Sequence, residues 1–357
     1  MQKWKENIRR VVPYVPGEQP KVEGRLIKLN TNENPYPPSP LAAKAAENMD
    51  ITKYRLYPDP SVSKLVKALA KEYGVEDNCV FVGVGSDDVL AMSFLTFFNS
   101  DKPILFPDVT YSFYEVWADL YHIPYICPKL DEEYRIVADD YCVQNGGIIF
   151  PNPNAPTGVL MGLNEVQKIL DANRDVVVIV DEAYIDFGGE SAVKLIDDYD
   201  NLLVVRTYSK SRSMAGLRIG YAIGNQELIK ALNDVKYSYN SYTMNMAAIE
   251  LGTAVLEDKE YFEETTNKII DTRERSKKRL LELGFTFPDS KTNFIFARPS
   301  KISAQELFEK LKERSIYVRH FNGERVKDSL RITIGTDEEM ERFFEAVEEI
   351  QLLYTGR

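Results

Sequence analysis

Six short, almost wholly apolar segments recur between residues 80 and 223, and stretches with helical spacing of apolar residues separate them. The segments are Val80–Val82, Ile104–Phe106, Ile148–Phe150, Val176–Val180, Leu202–Arg206 and Ile219–Ile223. A strand that is apolar on both faces needs cover on both sides, and the intervening helices can supply it. This alternation predicts an α/β fold with a mostly parallel sheet covered by helices on both sides.

The pattern changes after about residue 241. Long helical stretches from about Met246 to Leu283 precede two strand candidates, Asn293–Ala297 and Leu330–Ile334, with a helix at Ala304–Arg314 between them. The spacing Thr336-x-x-Glu339 is a capping box, which predicts the start of a last helix. A smaller α+β domain is therefore expected at the C-terminal end.

These two patterns suggest a division of the chain. We expect an N-terminal arm at residues 1–30 that contacts the small domain or a second subunit. A large domain is expected at residues 31–245 and a small domain at 246–357.

Charge and composition exclude several classes of partner. The chain has 44 basic and 55 acidic residues, a net charge of −11, which argues against nucleic acid or an anionic membrane as the main partner. Three scattered cysteines and two histidines without metal-ligand spacing argue against a disulfide framework or a metal site. The charged start of the chain and the lack of a membrane-length apolar run favour a cytoplasmic protein.

Two loops that follow apolar segments carry chemically useful groups. Gly83-Val84-Gly85-Ser86-Asp87 opens a helix, and backbone N–H groups at a helix N-terminus can bind a phosphate. The alternative is a plain strand-to-helix turn. In Asn152-Pro153-Asn154-Ala155-Pro156-Thr157-Gly158 the prolines restrict the backbone, so the asparagine side chains are held in place. The alternative is a generic loop.

Ionisable residues end three further segments. Asp181-Glu182-Ala183-Tyr184 places a carboxylate at the end of an apolar strand, where it needs a cationic partner unless it only caps a helix. In Thr207-Tyr208-Ser209-Lys210 a desolvated lysine can act as a nucleophile, although a solvated surface lysine is the usual alternative. Arg218, eight residues later, can pair with a phosphate.

Together these groups fit one cofactor, pyridoxal 5′-phosphate, because ligands bind at the carboxyl ends of strands in open α/β sheets. Lys210 would hold the aldehyde, and Asp181 would keep the ring nitrogen protonated. Gly85, Ser86, Ser209 and Arg218 would bind the phosphate, and Asn154 and Tyr184 would bind the ring hydroxyl. Asp87 and Thr207 are further predicted cofactor-binding residues.

The chain resembles the fold-type-I pyridoxal-phosphate-dependent aminotransferases, and among them the histidinol-phosphate aminotransferases. The resemblance covers nearly the whole chain. Its motifs are Pro13-Tyr14-x-Pro16-Gly17, Leu29-Asn30-x-Asn32-Glu33-Asn34-Pro35, Tyr57-Pro58-Asp59, Gly85-Ser86-Asp87, Asn152-Pro153-Asn154, Asp181-Glu182-Ala183-Tyr184, Ser209-Lys210, Ala215-Gly216-Leu217-Arg218-x-Gly220, Val318-Arg319 and Leu330-Arg331-Ile332-Thr333-Ile334-Gly335-Thr336.

The resemblance implies a seven-stranded sheet in the large domain and a homodimer with shared active sites. It implies that Tyr111 stacks on the cofactor ring and that Tyr57 reaches the cofactor phosphate of the neighbouring subunit. Tyr14, Asn34, Arg319 and Arg331 would bind the substrates, which are histidinol phosphate and glutamate or 2-oxoglutarate. One departure stands out: most members of the fold type have asparagine directly before Pro-Thr-Gly, and this chain has Ala155.

The expected activity is interconversion of L-histidinol phosphate and 2-oxoglutarate with imidazole acetol phosphate and L-glutamate. Lys210 would be the acid and base, with Asp181 and Tyr184 as the other catalytic residues. Three alternatives stay open: an aromatic or broad-specificity aminotransferase, a lyase similar to threonine-phosphate decarboxylase, and a non-catalytic cofactor-binding protein.

Overall fold

A computed structural model of the chain describes residues 3–20 and 26–355. The helices of this part are α1 (Pro40–Glu47), α2 (Ser63–Tyr73), α3 (Ser86–Phe97), α4 (Phe113–Tyr121), α5 (Leu163–Ala172), α6 (Gln226–Tyr239), α7 (Met246–Leu256), α8 (Lys259–Glu282), α9 (Ala304–Glu313) and α10 (Asp337–Thr355). The strands are β1 (Ile27–Lys28), β2 (Val80–Gly83), β3 (Ile104–Leu105), β4 (Tyr125–Ile126), β5 (Ile148–Pro151), β6 (Val178–Asp181), β7 (Leu202–Thr207), β8 (Gly220–Gly224), β9 (Phe294–Ala297), β10 (Ile316–Tyr317), β11 (Arg319–His320) and β12 (Leu330–Thr333).

A seven-stranded sheet forms the centre of the molecule, with the strand order β2-β8-β7-β6-β5-β3-β4. β8 runs antiparallel to both of its neighbours, and the other pairings are parallel. The predicted mostly parallel α/β sheet is therefore confirmed. All six apolar segments are strands, each within two residues of its predicted ends.

Both faces of this sheet are buried, as the apolar segments required. Along β7, Leu203 and Val205 pack in a cluster with α3, α4 and α6. Leu202 and Val204 point the opposite way, into a cluster with α5. Strand residues alternate between faces, so a segment covered on both sides must be apolar at every position.

The short edge strand β4 has no counterpart among the segments predicted from the sequence. Of its two residues, Tyr125 is half-buried and Ile126 is exposed. A strand of two residues at the sheet edge is paired on one side and little covered, so its sequence contains no apolar run. In the structure, the parallel pairing of Tyr125 with Ile104 identifies these residues as a strand.

The C-terminal part of the chain forms a second sheet. β9, β12 and β11 pair antiparallel, and α8, α9 and α10 pack around them in one apolar cluster. The long helical stretches predicted between Met246 and Leu283 are α7 and α8, and Asp258 caps the start of the second. The predicted capping box is confirmed: Glu339 Oε2 accepts from the Thr336 N–H at 2.8 Å, and Thr336 Oγ1 accepts from the Glu339 N–H at 3.3 Å.

The division of the chain into an arm, a large domain and a small domain stays a prediction. Within the predicted arm, residues 1–2 and 21–25 lie outside the described residues. The described end of the arm joins the C-terminal part, since β1 pairs with β10 and Ile27 packs in the same apolar cluster as Phe343.

No helix in the described ranges has the length and apolar character needed to cross a membrane.

Candidate active site

A cavity of about 840 Å³ opens at the carboxyl ends of β5, β6 and β7 and is closed on its other side by residues 13–19 and 30–33. The start of β8 reaches the same edge because this strand runs in the opposite direction. Twelve of the residues predicted for the site line the cavity: Tyr14, Ser86, Asp87, Tyr111, Asp181, Tyr184, Thr207, Ser209, Lys210, Arg218, Arg319 and Arg331.

Lys210 follows β7 and extends its amine into this cavity. Its Nζ donates to the carbonyl oxygen of Thr31 at 3.1 Å and lies 5.7 Å from the centre of the Tyr184 ring. Within the described ranges, no carboxylate forms an ion pair with it. The amine is held by one neutral acceptor and is free to bind an electrophile.

Asp181 ends β6, the strand that pairs with β7, and it lines the cavity with only 5% of the residue exposed. Its oxygens accept from the Tyr114 hydroxyl at 2.9 Å and from the Ala183 N–H at 3.2 Å. Burial raises the pKa of this carboxyl to about 6, although the Tyr114 hydrogen bond opposes the rise. Because no described cation pairs with it, the carboxylate is suited to a positively charged group bound in the cavity.

A cradle for an anion lies where α3 begins. Arg218 follows a short turn, and its own backbone is in the left-handed region with φ 55°. Its guanidinium donates to Asp87 Oδ2 at 3.2 Å and to Ser209 Oγ at 3.3 Å. The backbone of Gly85 passes so close that a Cβ there would lie 2.4 Å from Arg218 Nη2. The N–H groups of the first turn of α3 and this guanidinium together favour a phosphate.

Two guanidinium groups occupy the end of the cavity next to the C-terminal sheet. Arg331 lies between the rings of Phe294 and Phe321, 5.4 and 5.5 Å from their centres, and donates to the Asn30 carbonyl at 3.0 Å. Its Nε is buried and has no partner among the described residues. Burial lowers the pKa of Arg331, and the nearby Arg319 lowers it further, so an anion bound here would relieve both effects.

Aromatic side chains flank the same cavity. The ring of Tyr14 stacks on Phe113 with 4.1 Å between centres, and Tyr111 donates from its hydroxyl to Asp87 at 2.8 Å. Aromatic rings in a cavity wall can stack on a planar ring that is bound there.

The other four predicted site residues do not line the cavity. The Asn154 side chain joins its own loop to the loop after β3: its amide donates to Thr157 and to the Val109 carbonyl, and its oxygen accepts from Thr110. The structure therefore does not support a hydrogen bond from Asn154 to a cofactor. The cavity wall at this point is formed by Ala155 and Pro156.

Asn34, Gly85 and Tyr57 are the other three predicted residues that do not line the cavity. Asn34 donates to the carbonyls of Lys210 and Ser211, so it holds the lysine loop and does not face a substrate. Gly85 contributes backbone to the turn before α3. Tyr57 is 79% exposed and stacks on Tyr242, outside the cavity of its own chain.

The sequence interpretation missed three residues that the structure brings to the site. Tyr114 binds Asp181, Thr31 binds Lys210, and Asn32 donates to the Tyr184 hydroxyl at 2.9 Å. Tyr114 has the helical spacing of a core residue, which gives no signal. The dense asparagines around residues 30–34 were a signal for an ordered loop but did not identify its partners.

The residues present fit pyridoxal phosphate. An unpaired amine, a buried carboxylate without a cation and an anion cradle face one cavity, and they match the aldehyde, the ring nitrogen and the phosphate of that cofactor. No group of three His, Cys, Asp or Glu side chains that could hold a metal ion occurs in residues 3–20 and 26–355.

Comparison with known proteins agrees with this geometry. The family model for aminotransferase class I and II matches residues 24–347. The chain is 52% identical to a histidinol-phosphate aminotransferase of Clostridium acetobutylicum over 97% of this chain and 98% of that protein. It is 53% identical to one from Pseudomonas putida over 96% and 99% of the two chains.

A solved structure has the same fold. It is histidinol-phosphate aminotransferase from Sinorhizobium meliloti in complex with pyridoxal-5′-phosphate, with a TM-score of 0.83 and 22% identity. The similarity covers 91% of this chain and 90% of that one. The chain thus belongs to the class I and II aminotransferases, and within them to the histidinol-phosphate aminotransferases.

Proposed function

We propose that this protein is a pyridoxal-phosphate-dependent aminotransferase that interconverts L-histidinol phosphate and 2-oxoglutarate with imidazole acetol phosphate and L-glutamate. One observation carries the proposal. The unpaired amine of Lys210 and the buried carboxylate of Asp181 share a cavity with the guanidinium groups of Arg319 and Arg331, which have no described anionic partner.

The cofactor-binding roles follow from these contacts. Bound pyridoxal phosphate supplies an electrophilic aldehyde and a conjugated ring that spreads the charge left when a proton is removed. The Asp181 carboxylate would accept a hydrogen bond from the protonated ring nitrogen, and the Tyr184 hydroxyl would donate to the ring oxygen. Ser86, Ser209 and Arg218 would bind the phosphate group at the start of α3.

Lys210 would perform the proton transfer. Its Nζ extends into the cavity and has a neutral acceptor there, so as a free amine it would take up a proton released from the substrate and give it back. The Thr31 carbonyl and the loop contacts of Asn34 keep the amine at this position.

The two arginines support the choice of substrates. L-histidinol phosphate carries a phosphate and no carboxylate, whereas glutamate and 2-oxoglutarate carry carboxylates. Arg319 and Arg331 can bind either anion, because a guanidinium forms paired hydrogen bonds with both groups. The stacked rings of Tyr14 and Phe113 are suited to the flat imidazole of the amine donor.

We also propose that the protein acts as a homodimer in which Tyr57 completes the phosphate site of the other subunit. Tyr57 is exposed in the single chain, as are its sequence neighbours Ile51 and Leu56, and Tyr239, which lies three residues before its stacking partner Tyr242. Large exposed apolar side chains in such number favour a protein interface.

The first experiment records the visible spectrum of the cofactor-loaded protein while L-histidinol phosphate is added without an acceptor. We expect the visible band to disappear and to return when 2-oxoglutarate is added. Lys210→Ala should reduce turnover by at least about 10³-fold, since it removes both the cofactor anchor and the base. Lys230→Ala, a change in a surface lysine that pairs with Asp234, is the matched control and should leave turnover unchanged.

The other outcomes separate the alternatives. A response to aromatic amino acids but not to histidinol phosphate would identify an aromatic aminotransferase. Turnover without any 2-oxo acid, with release of carbon dioxide from a phosphorylated amino acid, would identify a decarboxylase. A protein that never acquires a visible band would contradict the cofactor itself.

A further inference from the structure

Tyr184 has an unusual partner on its hydroxyl. The Asn32 side chain, from the loop after β1, donates from Nδ2 to Tyr184 Oη at 2.9 Å. Asn32 is only 1% exposed and also borders the cavity. The two residues are 152 positions apart in sequence, so the contact depends on the tertiary fold.

The orientation of the Asn32 amide is determined by Thr333. The hydroxyl oxygen of Thr333 accepts the backbone N–H of Asn32 at 3.0 Å, and its hydrogen is directed to Asn32 Oδ1 at 3.1 Å. Asn32 Oδ1 is therefore the acceptor, and the Nδ2 side of the amide faces Tyr184. The carbonyl of Asn32 accepts from Asn293 at 3.0 Å, which holds the backbone as well.

The backbone of Asn32 is in the left-handed region, with φ 55°. Few side chains other than asparagine and aspartate adopt this conformation readily. Every polar group of the Asn32 side chain thus has a specific partner, and the residue occupies a backbone conformation that favours its own type.

This arrangement determines where the Tyr184 hydrogen goes. Because Tyr184 Oη accepts from Asn32, its own hydrogen is left to donate elsewhere, and the hydroxyl lies at the cavity. Among the described residues, the Tyr184 hydroxyl has no hydrogen-bond partner other than Asn32. Ala155, which packs in the same apolar cluster, offers no polar side chain there.

We propose that Asn32 is a positioning residue that binds the Tyr184 oxygen and thereby directs the Tyr184 hydroxyl hydrogen to the ring oxygen of the cofactor. This inference rests on the proposed function. Asn32 does not itself touch the reacting atoms. A donor whose oxygen already accepts a hydrogen bond is also a stronger donor, because adjacent hydrogen bonds polarise one another.

The test uses the pH midpoint of the visible absorption band of the cofactor-loaded protein, without substrate. The midpoint reports the loss of a proton from the Lys210 nitrogen when it is bound to the cofactor. A hydrogen-bond donor to the ring oxygen stabilises the state without this proton, so a weaker donor moves the midpoint to higher pH. We expect Asn32→Gly to raise the midpoint by about 0.5 pH unit. Glycine is used because it adopts φ 55° without strain.

A double-mutant comparison isolates the path through Tyr184. In a Tyr184→Phe background, Asn32→Gly should no longer move the midpoint, because the hydroxyl that it directs is absent. An equal shift in both backgrounds, or no shift in the wild-type background, would overturn the inference. A merely structural role would lower the melting temperature of the cofactor-free protein without this dependence on Tyr184.

A second pair of variants covers the case in which Asn32→Gly does not fold. Thr333→Val removes the hydroxyl that orients the Asn32 amide, and Thr333→Ser keeps it. The midpoint should rise in the first variant and stay unchanged in the second; equal values would contradict the inference. If the wild-type protein forms no visible band with pyridoxal phosphate, the proposed function has failed, whereas an unmoved but titrating band overturns only the role of Asn32.

Discussion

At the scale of single residues, Asp181 shows how burial prepares a side chain for a ligand. Its carboxyl has no described cationic partner, and burial raises its pKa from 3.8 to about 6. The folded cofactor-free protein therefore binds a proton more tightly at Asp181 than the unfolded chain does. The stability that this proton contributes is complete below pH 3.8 and is lost as the pH rises through about 6.

A prediction follows for the cofactor-free protein. At ~1.4 kcal/mol per pH unit, the rise in pKa from 3.8 to about 6 corresponds to ~3 kcal/mol of unfolding free energy. Asp181→Asn should remove this part of the pH dependence, of which about 2 kcal/mol falls between about pH 4.5 and about pH 7, where urea unfolding measures it. Glu182, whose pKa burial raises to about 7, leaves some pH dependence in both proteins.

The exposed Asp140 provides the control for this measurement. Asp140→Asn should leave the difference between the two pH values as it is in the wild-type protein. If Asp181→Asn has the same pH dependence as the wild type, Asp181 is ionised in the folded cofactor-free protein and the cavity already neutralises it.

At the scale of secondary-structure elements, the position of the phosphate cradle depends on how closely β8 approaches the start of α3. Gly83 of β2 pairs with Gly220 of β8, and Gly220 also pairs with Thr207 of β7. A Cβ at Gly220 would lie 2.2 Å from the Gly85 carbonyl carbon and 2.2 Å from the Ser86 nitrogen. Both contacts are with backbone, which cannot turn aside as a side chain can.

We expect Gly220→Ala to separate these elements, to cost about 3 kcal/mol of stability and to weaken cofactor binding. Equilibrium unfolding and cofactor titration by absorbance measure the two effects. Gly216→Ala, in the turn before β8, is the matched control, since a Cβ there meets no atom within 4 Å, and its stability should change by less than about 0.5 kcal/mol. Unchanged cofactor affinity in Gly220→Ala would show that the cradle tolerates the displacement.

At the scale of the whole molecule, the proposed shared active site can be tested by mixing subunits. We expect dimers in which a Lys210→Ala subunit pairs with a Tyr57→Ala subunit to contain one intact site, with Lys210 from one chain and Tyr57 from the other. Mixtures formed by refolding together should therefore exceed the mean activity of the two parent variants. Each variant refolded alone, and then combined, serves as the control.

Activity equal to that mean would contradict the shared site, provided that sedimentation shows mixed dimers. The physical basis is the exposure of Tyr57 in the single chain, where it stacks on Tyr242 with 4.6 Å between ring centres and does not reach the cavity of its own subunit.

Much of the fold could be predicted because its causes are local in the sequence. An apolar run such as Val178–Val180 can only be covered on both faces, and Thr336 and Glu339 satisfy each other across one helical turn. Residues at the ends of buried strands must converge on one sheet edge, which is why Asp181 and Lys210 were found. The family motifs then supplied Arg319 and Arg331.

The tertiary structure alone decided which distant groups meet. Asn154 binds Val109 in the loop after β3 and does not face the cavity, whereas Asn32 reaches Tyr184 from 152 residues away and Thr333 orients it from 301 residues away. Tyr114 has the spacing of a core residue and yet binds Asp181. The sequence by itself determined the elements and the chemistry at their ends, because burial acts residue by residue along the chain. Hydrogen-bond partners depend on packing between segments that have no fixed separation in sequence, so only the folded molecule determines them.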